Sequence, residues 1–325
     1  MPFTPNDLTI RPITGPEELD LFRELPYVLD HELADDLAER RRRPEWMWIA
    51  RRGDRVLARV AWWSRPGDLV PDRLDILDVL DGGDDARRGG APGPDRLDVG
   101  ELLLRTAMSA VLPAGSTPPE YGRFVAPDWR DTPASARTVQ DRMAILRRTG
   151  AELFVERLRL EWRPGASPLP APAGHLAFRP VDGTGELIDL MTSALTGTLD
   201  AHGRDDLTRM SARQAAVRHY EDELARFTSP RDWWCVATLP DKEPVGFVIP
   251  AHNGYNPVIA YIAVLPAHRG KGHIDALLAH GTRLLAEQDV PRVRAATDLG
   301  NVPMARAFRR AGYVEFGREI TMTWS

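Results

Sequence analysis

Residues 147–162 read RRTGAELFVERLRLEW, and residues 309–324 read RRAGYVEFGREITMTW. Arg, Arg, Gly, Phe and Trp fall at the same five positions in both. The openings match as well, since LTIRPIT at 8–14 and LAFRPVD at 176–182 share Leu, Arg and Pro in register. A chain that begins and ends twice is constrained to two copies of one fold. Between the copies, RPGASPLPAPAGH at 163–175 has the Pro, Gly, Ala and Ser content of a linker. The expected division is a first domain over 1–163, a linker over 164–174 and a second domain over 175–325. A length of 325 residues lets each copy bury its own core.

Composition narrows the function. The chain is 43% apolar and 27% charged, as in soluble globular proteins. A net charge of −5 argues against nucleic acid as the main partner, because neutralising phosphates needs a basic excess. The one strong basic cluster, RRRR at 40–43, follows LADDLAE and reads as a solvated helix end. Cys235 is the sole cysteine, which leaves no internal disulfide and no paired-cysteine metal site. It lies in the apolar run WWCVA, where a buried, inert thiol is expected. MPFTPNDLTIRP lacks the pattern of a signal peptide, and no apolar stretch approaches the ~20 residues of a membrane helix. A cytoplasmic protein without membrane contact is expected.

The second half reads as mixed α/β. A strand at 176–180 precedes helical material over 184–226. WWCVATL (233–239) and VGFVIP (245–250) flank the turn PDKEP as a hairpin. VIAYIAVLP (258–266) is a buried strand, and RGKG opens a helix over 273–288. RVRAATD (292–298) is a further strand, followed by a helix over 301–312. Gly150 and Gly312 stand just past helical runs, where a left-handed residue is wanted.

IAVLPAHRGKGHIDALL (262–278) carries the chemistry. A strand runs into Arg269, Gly270, Lys271 and Gly272, and a helix starts at once. Such a turn leaves backbone N–H groups unspent at the positive end of a helix, and glycines let a diphosphate approach them. Alone the signal is weak, since it is neither GxxxxGK[ST] nor GxGxxG. With Val264, Pro266, Arg269, Gly270 and Gly272 in this arm, Asn301 on the next helix and the closing Gly312-Tyr313, residues 175–325 resemble the GNAT family (GCN5-related N-acetyltransferases). By the repeat, 1–163 resembles a second, diverged copy.

That resemblance implies two tandem GNAT-like domains, each a mixed, mostly antiparallel sheet flanked by helices. It implies acetyl-CoA, or another acyl-CoA, as co-substrate and no metal. Pantetheine would lie in a gap between two strands and pair with the backbone of Ile262, Ala263 and Val264. The diphosphate would rest on the amides of Gly270, Lys271, Gly272, His273, Ile274 and Asp275, with charge from Arg269 and Lys271. Asn301 and Phe308 would line the arm. An amine would attack the thioester directly. Three departures stand out: Ile274 replaces a Gly or Ala, Phe308 replaces an acidic Tyr, and Ala296 replaces a basic Glu. Asp298, two residues on and on the same strand face, becomes the candidate base, with capping of the next helix as its structural alternative. Tyr261 and Tyr255 flank the gap, Tyr261 as candidate proton donor or orienter. His268 and His273 bracket the cradle. Asp200, His202, Asp205 and Asp206 lie where the family builds its acceptor pocket.

At an offset of 162 the first half places Val139 where the second has Asn301, and Leu146 where it has Phe308. Its counterpart of the cradle, within 81–104, is acidic and Pro-rich. The first copy is therefore expected to have lost the diphosphate site, leaving it to brace the catalytic copy, shape its acceptor pocket or form a homodimer face. The expected function is N-acyl transfer to a small-molecule amine. An acyl carrier protein as donor, a non-catalytic acyl-CoA sensor and a nucleotide-phosphate enzyme stand as alternatives.

Overall fold

The computed structural model describes residues 8–80, 96–171 and 174–324. The strands are β1 (Leu8–Pro12), β2 (Met47–Arg52), β3 (Arg55–Trp63), β4 (Arg73–Val79), β5 (Tyr121–Val125), β6 (Ala151–Trp162), β7 (Ala177–Pro180), β8 (Cys235–Thr238), β9 (Pro244–His252), β10 (Pro257–Val264), β11 (Val293–Asp298) and β12 (Val314–Trp324). The helices are α1 (Leu19–Phe22), α2 (Leu33–Ala38), α3 (Arg96–Val111), α4 (Pro133–Arg148), α5 (Gly183–Leu195), α6 (Ala201–Arg209), α7 (Ala212–Asp222), α8 (His273–Ala286) and α9 (Val302–Arg310).

These elements form two compact units: Met1–Val155 with Glu319–Ser325, and Glu156–Arg318. The units divide differently from the halves read in the sequence. The repeated endings are β6 and β12, and each is shared. The last seven residues of β6 belong to the second unit, and the end of β12 belongs to the first. The two crossings fall within one residue of the same point of the repeat. Each unit thus contains part of the other copy's final strand.

In β6 the alternation is strict. Leu158, Leu160 and Trp162 are at most 2% exposed in the second unit's core, while Arg157, Arg159 and Glu161 take the opposite face. In the tail of β12, Ile320 and Met322 join the first unit's core beside Trp46, Tyr121 and Leu146. Part of the expected linker packs onto the second unit: Ser167 Oγ donates to Gly312 O at 2.7 Å, and Pro168 O accepts from Trp162 Nε1 at 3.2 Å. Residues 172 and 173 lie outside the described ones.

Both units share one plan. In the first, β1 to β4 run antiparallel and β5 joins β4 in parallel. In the second, β7 to β10 run antiparallel, β11 joins β10 in parallel, and β6 pairs antiparallel with β11. Each sheet has an apolar cluster on both faces, under α3 and α4 and under α1 and α2 in the first unit, under α8 and α9 and under α5 and α7 in the second. Helix ends follow local chemistry. Thr132 caps α4 ahead of Pro133, Ser211 and Gln214 form a reciprocal capping box on α7, and Gly150 and Gly312 take positive φ just beyond α4 and α9.

The basic run at 40–43 is not a solvated helix end throughout. Arg42 is 2% exposed and bonds Asp36 and Asp75, because the chain turns back under β3 after α2. Cys235 is buried as expected, and burial pushes its thiol up to about 11.

Candidate functional site

The site of the second unit grows from one strand pair. Parallel pairing between β10 and β11 is made at Val258 and Arg294, and beyond that point the strands part. Opposite, β10 stays paired with β9 from Pro257 to Val264, with Ala260 bulged out of register. Leu265 N donates to Val245 O at 2.9 Å, so the alternation turns Ala263 and Tyr261 toward β9. Ile262 and Val264 therefore point their amides into the gap. Of the three expected backbone contacts, these two face it and Ala263 does not. The side chains alternate too: Tyr261 and Ala263 pack on the α5 and α7 side, Ile262 and Val264 on the α8 side.

The strand leads into a short 3₁₀ turn, Pro266–His268, and then the glycine loop. Gly270 has φ 77° and Gly272 has φ 81°, and Gly272 is the N-cap of α8. A Cβ built on either glycine meets nothing within 4 Å, so the space over the loop is open. Among the described residues no acceptor takes the amides of Gly270, Lys271, Gly272, His273 or Ile274; that of Asp275 bonds Gly272 O at 3.1 Å. Five amides at the positive end of a 14-residue helix form a ready anion site. The Ile274 side chain packs on the core and stays out of it.

Several charged side chains around the loop are held by the protein itself. Arg269 donates to Val264 O at 3.1 Å, to Thr196 O at 2.6 Å and to Ala194 O at 2.7 Å. It ties the end of α5 to the cradle instead of pointing at a phosphate. Asp275 pairs with Arg310 of α9 at 2.7 Å. His268 is buried against Glu243 at 3.0 Å. His273 lies 3.3 Å from His175, and burial, then His175, His268 and Lys271, lower its pKa and favour the neutral ring. Among the described residues no group of three or more such side chains is arranged to hold a metal.

Tyr261 stacks on Phe247 at 5.3 Å and meets the edge of His219 at 5.3 Å. Burial, with help from Asp200, raises its hydroxyl well above the ordinary range, so it keeps its proton. Asp298 is 3% exposed, and its Oδ2 accepts the amide of Ala201 at 2.6 Å. Its Oδ1 faces Arg157 Nε at 3.2 Å. Burial and Asp200 raise its pKa against the Ala201 amide and Arg157. The cap of α9 belongs to Asn301, whose side chain accepts from Met304 N at 3.3 Å. Asp298 therefore does not cap α9: its Oδ2 holds the start of α6 to β11, and its Oδ1, near Arg157, has no hydrogen-bond partner among the described residues. Asp200 caps α6 through Gly203 N at 2.7 Å. Phe308 is 1% exposed, edge-on to Tyr313 in the core, and the Tyr313 hydroxyl is spent on Thr282 at 2.8 Å. Tyr255 is exposed in the loop before β10. Sequence reasoning missed Arg157 beside Asp298, because it arrives on a strand written in the first half. The signal was the alternation of ERLRLEW, which leaves one face wholly charged.

The first unit has the equivalent gap and fills it. There β4 and β5 pair at Leu74 and Tyr121, and Asp75 is bulged. Beyond, Arg142 of α4 donates to Leu77 O at 2.9 Å and Arg123 of β5 to Asp75 O at 3.4 Å. Both also hold Asp78, which Arg59 reaches at 2.9 Å. Burial alone would raise the Asp78 carboxyl, but Arg123, Arg142 and Arg59 outweigh it and keep it below its ordinary value. The space left beside Tyr121, Arg123 and Arg142 is too narrow for a water molecule. Of the expected counterpart of the cradle, within 81–104, residues 81–95 lie outside the described ones, and 96–104 belong to α3.

Comparison with known proteins agrees with this plan. Residues 203–313 match the model of the acetyltransferase (GNAT) family. No curated protein matches the chain in sequence. Among solved structures, a GCN5-related N-acetyltransferase from Sphaerobacter thermophilus has a TM-score of 0.57 at 15% identity, over 99% of this chain and 96% of that one. A tandem GNAT protein from the clavulanic acid biosynthesis pathway has 0.51 at 17% identity, over 98% of both chains. A glucosamine N-acetyltransferase region of a fungal multi-domain β-N-acetylglucosaminidase has 0.56 at 14% identity, over 98% of this chain and 38% of that one. These likenesses establish the fold: two tandem GNAT-like domains.

Proposed function

We propose, for a chain whose residues 203–313 carry a GNAT acetyltransferase domain inside a tandem fold of that kind, an N-acyltransferase that moves an acetyl or related acyl group from acyl-CoA to a small-molecule amine. One observation carries the reading: an open strand gap that ends in five unspent amides under open space. The amides of Ile262 and Val264 suit a pantetheine arm, and those of Gly270 to Ile274 suit its diphosphate. Asn301 stands at the start of α9. A CoA thioester supplies an activated acyl carbon. The amine nitrogen bonds to that carbon, the carbon–sulfur bond breaks, the thiolate leaves, and the nitrogen loses one proton. A β10 amide facing the gap stabilises charge on the acyl oxygen. Tyr261, which holds its proton, is the candidate donor to the thiolate. Asp298 keeps α6 in place through Oδ2 and, with Asp200, gives the acceptor side a negative end; its Oδ1, which has no hydrogen-bond partner among the described residues, is the candidate base atom.

The test is calorimetry with acetyl-CoA followed by thiol release across an amine library. Saturable binding with amine-dependent release supports the reading. A second reading, an acyl-CoA sensor, draws on the buried Phe308, which stands where a proton-donating Tyr was expected. Tight binding without release from any amine selects it. No acetyl-CoA binding overturns both.

A further inference from the structure

The connection between α5 and α6 is held at both ends by charged side chains, and its two ends lie on the two strands that part. At the first end is Arg269. Its Nε donates to Val264 O at 3.1 Å, on the side of β10 that faces the gap. Its Nη2 donates to Ala194 O at 2.7 Å, and its Nη1 to Thr196 O at 2.6 Å and Gly197 O at 3.3 Å. The last carbonyls of a helix lack partners within it and carry its negative end, so a guanidinium fork fits them. Gly197 turns the chain with φ 62°, and a Cβ built there would meet Arg269 Nη1 at 3.4 Å. The chain therefore passes directly over the guanidinium.

At the second end is Asp298, the last residue of β11, whose Oδ2 takes the amide of Ala201 at 2.6 Å. Val293 and Ala295 pack in the α8 and α9 cluster, so Asp298 takes the other face, with Tyr261 and Ala263. Because β10 and β11 pair at Val258 and Arg294 and then part, Val264 and Asp298 stand on opposite arms of the gap. Residues 197–201 run from one arm to the other. Between its anchors the segment is braced from within. Thr198 N donates to Leu195 O at 3.1 Å, Asp200 N to Thr198 Oγ1 at 3.2 Å, and Gly203 N to Asp200 Oδ1 at 2.7 Å. It also brings charge to the reacting end. Burial, and after it Asp200, raises both the Tyr261 hydroxyl and the Asp298 carboxyl, so the Asp200 carboxylate lies near both.

We propose that residues 196–201 form a strap across the acceptor side of the strand gap, with Arg269 and Asp298 as the positioning residues that fix its two ends. The amine meets the donor against this strap. Arg269, next to the cradle in sequence, serves the acceptor and not the diphosphate. The proposal rests on the acyl-transfer reading, and its failure is separable from the failure of that reading.

The experiment uses the full chain, acetyl-CoA and an amine library that includes ethanolamine, spermidine and benzylamine. Arg269→Met keeps the stem of the side chain and removes its donors. Acetyl-CoA affinity by calorimetry is expected to change less than ~3-fold, while KM for the amine turned over fastest rises at least ~10-fold with kcat within ~3-fold. Hydrogen exchange at the amides of Thr198, Asp200 and Ala201 is expected to quicken at least ~10-fold. Ala201→Pro cuts the other anchor. Pro is tolerated at the first position of a helix, and Asp200 already has ψ 131°, as a residue before Pro requires. The amide that Asp298 takes is lost while α6 remains, and the same rise in KM is expected with donor affinity intact. A fall in acetyl-CoA affinity of ~10-fold or more in Arg269→Met, with KM unchanged, makes Arg269 a phosphate ligand and overturns the proposal. Unchanged exchange in the strap of Arg269→Met overturns it as well. Acetyl-CoA binding by wild type without thiol release from any amine overturns the acyl-transfer reading instead, and strap exchange with donor affinity in Arg269→Met then decides the tether alone.

Discussion

The two strand gaps are the same construction finished in opposite ways. Each follows a bulged fourth strand whose parallel neighbour pairs with it and then parts from it. In the first unit the carbonyls left by that parting, Asp75 O and Leu77 O, are taken by Arg123 and Arg142. In the second, Ile262 and Val264 keep their gap-facing amides, and alanine stands at 260 and 263 where the first unit has Asp75 and Asp78. A backbone opening can therefore be turned from a binding slot into a structural joint by charges on neighbouring strands and helices, with the fold unchanged. The cost is a buried ion cluster, worthwhile only while every member is paired.

The comparison breaks most completely at the exchanged endings. Deleting residues 319–325 removes Ile320 and Met322 from the first unit's core, each worth about 2–5 kcal/mol. The expected outcome is loss of amide-exchange protection in β3 and β4. Protection retained there shows that the tail of β12 does not hold the first unit. The next largest effect is at the filled gap. Asp78→Ala leaves Arg59, Arg123 and Arg142 facing one another in a buried space, a loss of about 3–5 kcal/mol read by denaturant unfolding. Acetyl-CoA affinity is expected to stay within ~2-fold, because the cradle is in the second unit. A matching loss of affinity would mean that the filled gap contributes to binding.

The open gap is broken by Gly272→Trp. The new side chain occupies the space over the loop, and a positive φ strains any non-glycine residue there. Acetyl-CoA affinity is expected to fall ~100-fold, about 2.7 kcal/mol. Unchanged affinity in calorimetry refutes the cradle. Tyr261→Phe has a smaller effect: turnover at saturating amine drops ~10-fold or more with donor affinity intact, as for a lost proton donor.

What the sequence disclosed, and what it hid, follows from the range of the interactions. The helix start at Gly272 and the stops at Gly150 and Gly312 are local backbone chemistry, and they are legible as such. The duplication is legible because β6 and β12 kept their alternation. The exchange of those strands is not, because the pattern of ERLRLEW says which face is buried and not which sheet receives it. The same blindness hid the approach of Arg157 to Asp298. Arg42 and Arg269 show a second limit. An arginine beside glycines or other arginines reads as solvated or phosphate-seeking, yet one lies buried on Asp36 and Asp75, and the other ties down the carbonyls of α5. Asp298 shares the face of Ala296 on β11, as the strand period implies, but its hydrogen bond to Ala201 spans 97 residues and no local pattern announces it.

The smallest effect is the sharpest contrast, because the two carboxyls respond to acid with opposite signs. Asp78 is held below its ordinary value, so its contribution is present above the unfolded value near 3.9 and is lost as pH falls through its folded value. Asp298 is raised, so the folded state favours its protonated form, and the associated stability is full below about 3.9 and lost as pH rises through the raised value. Asparagine substitution isolates each. Asp78→Asn is expected to destabilise at pH 7 and to have a shrinking effect in acid. Asp298→Asn mimics the protonated carboxyl, so at pH 7 it relieves the cost of burying a charge beside Asp200, and that gain vanishes as wild type protonates. Denaturant unfolding of the two variants against wild type from pH 3 to 7 reads both trends. Parallel trends would mean that Arg157, 3.2 Å from Asp298, governs that site as the arginines govern Asp78 and keeps its carboxyl ionised.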